Sequence, residues 1–143
     1  MADLALDNPM TNGHTTTCDL LWSGLPILTF PITDSMPSRV ASSILYALGV
    51  GPETVCTSYT DYSKRAKMLA SSTLSDLTPE EVNLFQALPP HIKNLPHGSP
   101  MLKLLRHKVL QNRLQAPLFN TELWVRNLEK GLFEAYRMYA SDK

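Results

Sequence analysis

The first half of the chain alternates short aliphatic runs with residues at helical spacing. Residues 2–6 form an apolar run that ends at Asp7, and residues 26–30 form a second one. Between them, the spacing of the apolar residues predicts one short helix, closed by Gly24 where a left-handed cap is favoured. Strand, loop, short helix and strand predict a βαβ unit with a parallel sheet.

Two further helices are predicted before residue 71. Ser35 or Met36 is expected to cap the first, with Pro37 in its first turn and Gly49 after its end. Its apolar stripe consists of Val40, Ala41, Ile44, Leu45 and Leu48. Residues 54–57 have the composition of a short edge strand. Ser58 and Asp61 then resemble a capping box for a helix whose buried stripe is Tyr62, Ala66 and Leu69.

The pattern changes in residues 71–100, which are rich in proline and are expected to be partly irregular. One helix is predicted there, capped by Thr78 with Glu81 and running to about Leu88. Ser99 and Pro100 begin another helix, with Leu102, Leu105 and Val109 as its apolar positions. A last helix begins near Asn120, with Val125, Leu128, Leu132, Tyr136 and Tyr139 on one face and ion pairs expected between Glu122 and Arg126 and between Lys130 and Glu134.

Composition and charge narrow the possible functions. The chain has 143 residues, 43% of them hydrophobic, which indicates one globular domain. Thirteen basic and thirteen acidic residues balance, so a phosphate-binding nucleic-acid surface is not indicated. The basic cluster on one predicted helix is interpreted as a solvated face. It consists of Lys103, Arg106, His107, Lys108 and Arg113.

Compartment is predicted from what the sequence does not contain. Cys18 and Cys56 lie far apart, outside any Cys-x-x-Cys arrangement, which favours buried thiols in a reducing compartment. The sequence has neither the pattern of a secretory signal nor an apolar stretch of the roughly 18 residues that span a bilayer. A soluble intracellular protein is therefore expected. The strand-like run so close to Met1 also suggests that structure precedes it in a longer protein.

The segment that carries chemistry is residues 12–19, Asn-Gly-His-Thr-Thr-Thr-Cys-Asp. It joins a strand to a helix at the carboxyl edge of the predicted parallel sheet, where open α/β sheets bind ligands. Gly13 allows a close backbone approach, and the free N–H groups of a first helical turn favour an anion. Threonine hydroxyls add donors for a diphosphate, whereas the Asp19 carboxylate suits ribose hydroxyls. A plain alternative remains, in which Thr15 is an N-cap and Asp19 a first-turn acid.

Three stretches of the sequence resemble a known enzyme family. The stretch LDNPMTNGHTTTCDLLWSGLPILTF, then PSRVASSILYALGV, and later APLFNT before an aromatic-rich helix are similar to the C-terminal catalytic region of protein O-linked N-acetylglucosamine (O-GlcNAc) transferases. The match covers roughly residues 2–70 and 101–140, in order. There is no GxxxxGK[ST] motif, so a P-loop enzyme is not supported.

The resemblance implies an α/β fold, namely a partial Rossmann-like second domain of a GT-B glycosyltransferase that ends in a long C-terminal helix. Residues 1–70 would be the UDP-sugar-binding βαβ part, residues 71–100 a Pro-rich insertion, and residues 101–143 the C-terminal helices. The family transfers N-acetylglucosamine from UDP-GlcNAc to Ser or Thr of nuclear and cytoplasmic proteins. It needs no cofactor or catalytic metal, and no nucleic acid or membrane partner is expected.

Carried onto matching positions, the resemblance assigns UDP binding to four residues. Thr15 and Thr16 would contact the diphosphate, Asp19 the ribose, and His14 the phosphate–sugar region. No catalytic residue can be assigned, because the first catalytic domain and the tetratricopeptide repeats of the family do not match any part of this chain. The chain alone is therefore expected to be inactive.

Three departures and three alternatives accompany the resemblance. Besides the unmatched domains, the chain has Pro31-Ile32 where the family has Pro-Gly, and its Pro-rich segment is longer; His91 and His97 in that segment are not expected to bind metal. The alternatives are a non-catalytic nucleotide-sugar-binding or interaction module, a Spindly-type protein O-fucosyltransferase, which His14 disfavours, and another GT-B enzyme such as a sugar epimerase.

The aromatic residues are predicted to be packing residues; they are Trp22, Phe30, Trp124, Phe133, Tyr136 and Tyr139. The aromatic face of the last helix would be exposed if the helix normally crosses onto another domain.

Overall fold

A small parallel sheet organises the first third of the chain. The computed structural model describes residues 2–141. Strand β1 (Ala5–Leu6) pairs in parallel with β2 (Ile27–Leu28), and Ala5 lies opposite Ile27. The N–H of Ala5 donates to the Pro26 carbonyl at 2.9 Å. The predicted parallel strand pair is confirmed, although each strand is shorter than the apolar run that contains it.

Helices make up most of the described chain. The predicted edge strand at residues 54–57 is reduced to a parallel bridge between Thr29 and Val55, because a short helix occupies the residues before it. The helices are α1 (Thr15–Trp22), α2 (Met36–Ala47), α3 (Gly51–Thr54), α4 (Tyr59–Ser71), α5 (Pro79–Gln86), α6 (Pro90–Lys93), α7 (Pro100–Asn112) and α8 (Thr121–Ser141). The fold is thus mostly helical, with a small two-stranded parallel sheet.

The main core lies between the sheet, α1, α2 and α7. Several of its fully buried side chains come from the predicted helical stripes, including Leu45 of α2, Leu48 just after it and Val109 of α7. Gly24 and Gly49 follow α1 and α2 with φ of +84° and +79°, so both predicted left-handed caps are confirmed. These turns return the chain to the sheet and to α3.

The first turn of α4 differs in part from the predicted capping box. The Ser58 hydroxyl accepts from the N–H of Asp61 at 3.1 Å, as expected. The return bond goes elsewhere, because the Asp61 carboxylate accepts from the N–H of Thr57 at 3.0 Å. It also pairs with Arg65 at 2.9 Å. Asp61 therefore anchors the turn before the helix as well as the helix itself.

Residues 71–100 contain more helix than their proline content suggested. Thr78 and Glu81 form the full predicted capping box at the start of α5, which ends at Gln86 rather than near Leu88. This segment has its own small apolar cluster against α7, formed by Leu77, Phe85, Leu88 and Ile92. Its two ends are joined because the buried Ser72 hydroxyl donates to Ser99 Oγ at 2.8 Å.

The basic cluster on α7 is not a solvated face, so that interpretation is wrong. Lys103 Nζ donates to the carbonyls of Lys93 and Leu95 at 3.0 and 2.8 Å. Arg106 Nε donates to the carbonyl of Gly24 at 3.2 Å. Lys108 forms an ion pair with Glu53, and Arg113 donates to the carbonyl of Trp22. These cations hold neighbouring segments onto α7, because their long stems reach carbonyls that helix ends leave free.

The aromatic residues divide into two groups. Phe30 is buried, with its ring centroid 4.7 Å from that of Tyr59, and the half-exposed Trp22 packs edge-on against Phe119 at 5.1 Å. The α8 aromatics Trp124, Phe133, Tyr136 and Tyr139 are exposed, so they are not packing residues within residues 2–141, and their exposure is the one expected for a helix that crosses onto another domain. The Glu122–Arg126 pair is confirmed, whereas Glu134 pairs with Arg137 rather than with Lys130.

Candidate functional site

Asn12 fixes the loop between β1 and α1 through hydrogen bonds to α2 and to the loop itself. This side chain is buried, and its Oδ1 accepts from the N–H of Ala41 in α2 at 3.0 Å. Its Nδ2 donates to the carbonyl of Asn8 at 3.0 Å, and its backbone N–H donates to Pro37 at 2.8 Å. Because its polar atoms are engaged within the fold, Asn12 positions the loop and is not oriented toward a ligand.

Asp7, at the carboxyl end of β1, supports the same loop from the sheet. Its Oδ1 accepts from the N–H of Gly13 at 2.9 Å, and its Oδ2 accepts from the Thr29 hydroxyl at 2.8 Å. The carbonyl of Asp7 accepts from the Tyr62 hydroxyl at 2.9 Å. Sequence reasoning treated Asp7 only as the end of a strand. The available signal was a carboxylate directly after a parallel strand, six residues before a loop glycine.

Ser38 was also missed by sequence reasoning. This fully buried hydroxyl donates to the carbonyl of Pro9 at 2.7 Å. It accepts from the N–H groups of Ile32 and Thr33 at 3.0 and 3.2 Å. It therefore joins the loop after β1 to the loop after β2, which contains the Pro31-Ile32 departure from the family pattern. Both loops lie at the carboxyl edge of the sheet.

The first turn of α1 presents free backbone donors. The helix begins at Thr15, so the alternative in which Thr15 is the N-cap is wrong; His14 is the cap residue, without a side-chain capping bond. The Thr17 hydroxyl is turned back to the Gly13 carbonyl, and the N–H of Cys18 donates to His14 at 3.3 Å. Within residues 2–141, the N–H groups of Thr15, Thr16 and Thr17 have no hydrogen-bond partner.

All four predicted binding residues lie on this exposed turn or one turn beyond it. His14, Thr15, Thr16 and Asp19 are exposed to solvent. Their side chains form no hydrogen bond to any other part of the described chain. Asp19 follows Thr15 by one helical turn and lies on the same side of α1. The structure therefore brings the four together, as exposed polar groups around a helix N-terminus.

This arrangement suits an anion that accepts several hydrogen bonds at once. A helix N-terminus combines unpaired N–H groups with the positive end of the helix dipole. Exposed hydroxyls of Thr15 and Thr16 add rotatable donors beside those N–H groups. A carboxylate at Asp19 is an acceptor only, and it complements the hydroxyl groups of a ligand rather than its phosphates.

Three groups near the loop, Cys18, Cys56 and Tyr62, are held in their protonated forms. Burial raises the pKa of the Cys18 thiol, and the neighbouring Asp19 carboxylate raises it further. Burial also raises the pKa of Cys56 to about 11 and that of Tyr62 to about 12, with Asp61 and Asp7 as the respective next causes. Neither thiol is an activated nucleophile. The Tyr62 hydroxyl stays a donor to Asp7 at physiological pH.

The described residues contain neither a grouped metal-ligand set nor a membrane-spanning helix. Across residues 2–141, no three or more His, Cys, Asp or Glu side chains are grouped so that they could hold a metal ion. His91 and His97 are exposed, and the structure places neither in such a group. No helix in the described range has both the length and the apolar character to cross a membrane.

Comparison with known proteins decides the family. The profile of glycosyl transferase family 41 matches residues 1–83, which is more than half of the chain and includes the whole loop before α1. This chain belongs to that family. It is 33% identical over 141 residues to the probable UDP-N-acetylglucosamine–peptide N-acetylglucosaminyltransferase SEC of Arabidopsis thaliana. It is also 33% identical over 141 residues to the UDP-N-acetylglucosamine–peptide N-acetylglucosaminyltransferase of Caenorhabditis elegans.

The alignments cover nearly all of this chain but only a small part of each relative. Each alignment covers 99% of this chain, but only 12% of the plant protein and 10% of the nematode protein. The chain therefore spans about a tenth of the length of the curated relatives that it matches. The resemblance of the sequence to protein O-GlcNAc transferases is confirmed at the level of the family.

Proposed function

We propose that this chain forms part of the UDP-GlcNAc site of a protein O-GlcNAc transferase, in the C-terminal region of its catalytic part. The observation that carries the proposal is the first turn of α1. Three unpaired N–H groups and two exposed threonines follow a parallel strand there, in a chain of glycosyl transferase family 41. The finer architecture belongs to the same proposal: two Rossmann-like domains of the GT-B type, of which this chain supplies part of the second.

Each residue has a distinct role in this proposal. The N–H and hydroxyl groups of Thr15 and Thr16 bind the diphosphate, and Asp19 accepts hydrogen bonds from the ribose hydroxyls. His14 lies beside the bond between phosphate and sugar. When N-acetylglucosamine is transferred to a Ser or Thr hydroxyl, UDP leaves as an anion. Donors that are already oriented stabilise this charge as it develops in the transition state, without any reorganisation.

The hydrogen bonds that fix the loop before α1 support its proposed role in binding the diphosphate. Asp7, Asn12 and Ser38 fix the backbone before α1 through bonds to three different segments. Preorganised donors are more effective than mobile ones, since no ordering cost remains when the ligand binds. The Gly13 N–H is engaged by Asp7, so the backbone donors available to phosphate come after Gly13.

Transfer of the sugar needs more than this chain in the proposed mechanism. A GT-B reaction uses groups from both sides of the cleft between two domains, and most of its rate depends on their joint positioning. The isolated chain is therefore expected to bind UDP weakly and to transfer no sugar. We expect the full enzyme to contain a first catalytic domain and tetratricopeptide repeats that bind protein substrates. We expect it to lie in the cytoplasm and nucleus.

Titration of the 143-residue protein with UDP, followed by phosphorus NMR, tests the proposal. Removing both hydroxyls in Thr15→Ala/Thr16→Ala should weaken UDP binding by at least tenfold, because even one hydrogen bond to a charged group contributes about 1.5–3 kcal/mol. Thr60→Ala is the matched control, since Thr60 is an exposed threonine in the first turn of α4. Equal UDP affinity in wild type and double variant would contradict the assignment.

The choice of nucleotide separates the two transferase classes. A GlcNAc transferase should prefer UDP, whereas preference for GDP would favour the Spindly-type alternative. Uridine, which lacks phosphates, should bind much more weakly than UDP because the first turn of α1 is an anion site. Equal binding of uridine and UDP would mean that the phosphates do not contact this turn.

A further inference from the structure

Thr29 directly follows β2, and its side chain is fully buried beside the loop that precedes α1. The Thr29 hydroxyl donates to Asp7 Oδ2 at 2.8 Å and accepts a longer bond, of 3.4 Å, from Asn12 Nδ2. Asp7 in turn accepts the backbone N–H of Gly13, and Asn12 belongs to the loop itself. One buried hydroxyl therefore contacts two of the side chains that fix the backbone before α1.

The orientation of the Asn12 amide is fixed by α2. A regular α-helix joins the N–H of residue 41 to the carbonyl of residue 37. Asn12 contacts both groups, since its Oδ1 accepts from Ala41 at 3.0 Å and its backbone N–H donates to Pro37 at 2.8 Å. A backbone N–H only donates, so the amide atom that faces Ala41 must be the oxygen. The Asn12 Nδ2 group is therefore turned toward the Asn8 carbonyl, at 3.0 Å, and the Thr29 hydroxyl.

This orientation sets the direction of both bonds at Thr29. The Asn12 Nδ2 group can only donate, and the Asp7 carboxylate can only accept. A hydroxyl satisfies both with one oxygen atom, whereas a valine side chain of nearly the same shape satisfies neither. The bonds therefore run from Asn12 through Thr29 to Asp7 Oδ2, while Asp7 Oδ1 accepts from Gly13 at 2.9 Å.

From these bonds we infer that Thr29 is a positioning residue for the diphosphate donors in the first turn of α1, an inference that rests on the proposed function. Asp7 is partly buried, and within residues 2–141 its Oδ2 accepts from Thr29 alone. Without that donor the carboxylate is drawn toward water, because a buried charge without hydrogen bonds is unfavourable. Its rotation weakens the bond to Gly13. The loop then has to be ordered when UDP binds, which lowers the affinity.

Three substitutions of Thr29 in the 143-residue protein test the inference, with UDP affinity measured by phosphorus NMR. Thr29→Val removes the hydroxyl and should weaken UDP binding by about three- to tenfold, since the loop must be ordered on binding. Thr29→Ser keeps the hydroxyl and should bind UDP as the wild type does. Thr29→Cys has only a weak donor and should lie between them. Thr29→Cys against Thr29→Ser gives the comparison if Thr29→Val does not fold.

Thr54→Val is the matched control. Thr54 is also a fully buried threonine, but its hydroxyl donates to the Val50 carbonyl at 2.6 Å and makes no bond to the loop before α1. Thr54→Val should therefore lower the free energy of unfolding and leave UDP affinity unchanged. An equal loss of UDP affinity in Thr54→Val and Thr29→Val would mean that both act through stability, which would overturn the inference.

The amide proton of Gly13 gives a second readout that needs no UDP. A bond to a carboxylate moves an amide proton downfield, so this signal should move upfield in Thr29→Val and stay in place in Thr29→Ser and Thr54→Val. An unchanged Gly13 signal in Thr29→Val, or UDP affinity equal to that of the wild type, would overturn the inference and leave the proposed function standing. A wild-type chain that binds no UDP would overturn the proposed function and this inference with it.

Discussion

Asp7 Oδ1 accepts the backbone N–H of Gly13 at 2.9 Å, and this bond ties the end of β1 to the loop that begins α1. The same carboxylate accepts from Thr29, so it joins both strands to the loop. Glycine suits position 13 for a separate reason, because a Cβ there would lie 3.2 Å from Thr17 Oγ1. Asp7 is therefore a positioning residue for the proposed diphosphate donors.

Replacing the carboxylate tests this positioning role. Asp7→Asn removes the charge and one acceptor, and it should lower the free energy of unfolding by about 2 kcal/mol, in line with hydrogen bonds to charged groups. It should also weaken UDP binding, although Asp7 carries the same sign of charge as UDP. Urea unfolding and the UDP titration measure the two effects. Asp34→Asn is the control, since Asp34 is exposed on a loop.

The two readouts separate the possible outcomes for Asp7. If Asp7 only opposed the phosphate charge, Asp7→Asn would strengthen UDP binding. If the loop were held equally well without it, both measurements would match those of Asp34→Asn. Lower stability with unchanged UDP affinity would mean that Asp7 stabilises the fold but does not position the UDP donors.

A close contact at Gly24 makes a second prediction. Gly24 has φ of +84°, and a Cβ built there lies 2.5 Å from Leu110 Cδ2. Gly24→Ala should therefore lower stability by at least the roughly 1–2 kcal/mol of a left-handed alanine. Gly131→Ala is the comparison, because nothing lies within 4 Å of its added Cβ in α8. That change should increase helicity, since glycine within a helix is disfavoured by about 1 kcal/mol. Urea unfolding and circular dichroism distinguish the two, and equal behaviour would contradict the contact.

Local signals in the sequence predicted the helix ends well. Gly24, Gly49, Ser99 and the Thr78–Glu81 pair act within a few residues of their own position, so the pattern around each contains the information needed. The exposed turn with Thr15 and Thr16 was predicted in the same way. Its place after a parallel strand required only that the two apolar runs pair.

Long-range bonds could not be predicted in this way. Arg106 reaches Gly24 and Asn112 reaches Leu48, contacts that depend on how α7 crosses the earlier elements. A basic stripe has the same appearance whether it faces water or distant carbonyls, so the interpretation as a solvated face was wrong.

Alkaline pH should destabilise the fold through Tyr62 and Cys56. Their folded-state pKa values are raised, to about 12 and about 11, chiefly by burial. The unfolded chain loses these protons at lower pH than the folded chain, so their stability contribution is complete below pH about 9 and declines as pH rises toward 12. Tyr62→Phe should lower stability by about 1 kcal/mol at pH 8, through loss of the bond to Asp7, and should make the decline above pH 10 shallower. Urea unfolding at pH 8 and 10.5 measures both; identical pH slopes in the two proteins would exclude Tyr62 as a cause.

The exposed face of α8 predicts self-association of the isolated chain. Leu132 and Tyr136 are 62% and 68% exposed, and they lie one turn apart on the apolar side of the helix. An apolar face of this kind is covered in most soluble proteins, so at high concentration the chains should associate through it. Leu132→Lys/Tyr136→Lys should shift the sedimentation coefficient toward that of a 16.0 kDa monomer. Glu129→Lys, which changes charge on the polar side, should leave association largely unchanged. A wild-type chain that stays monomeric at every concentration would show that this face does not drive association.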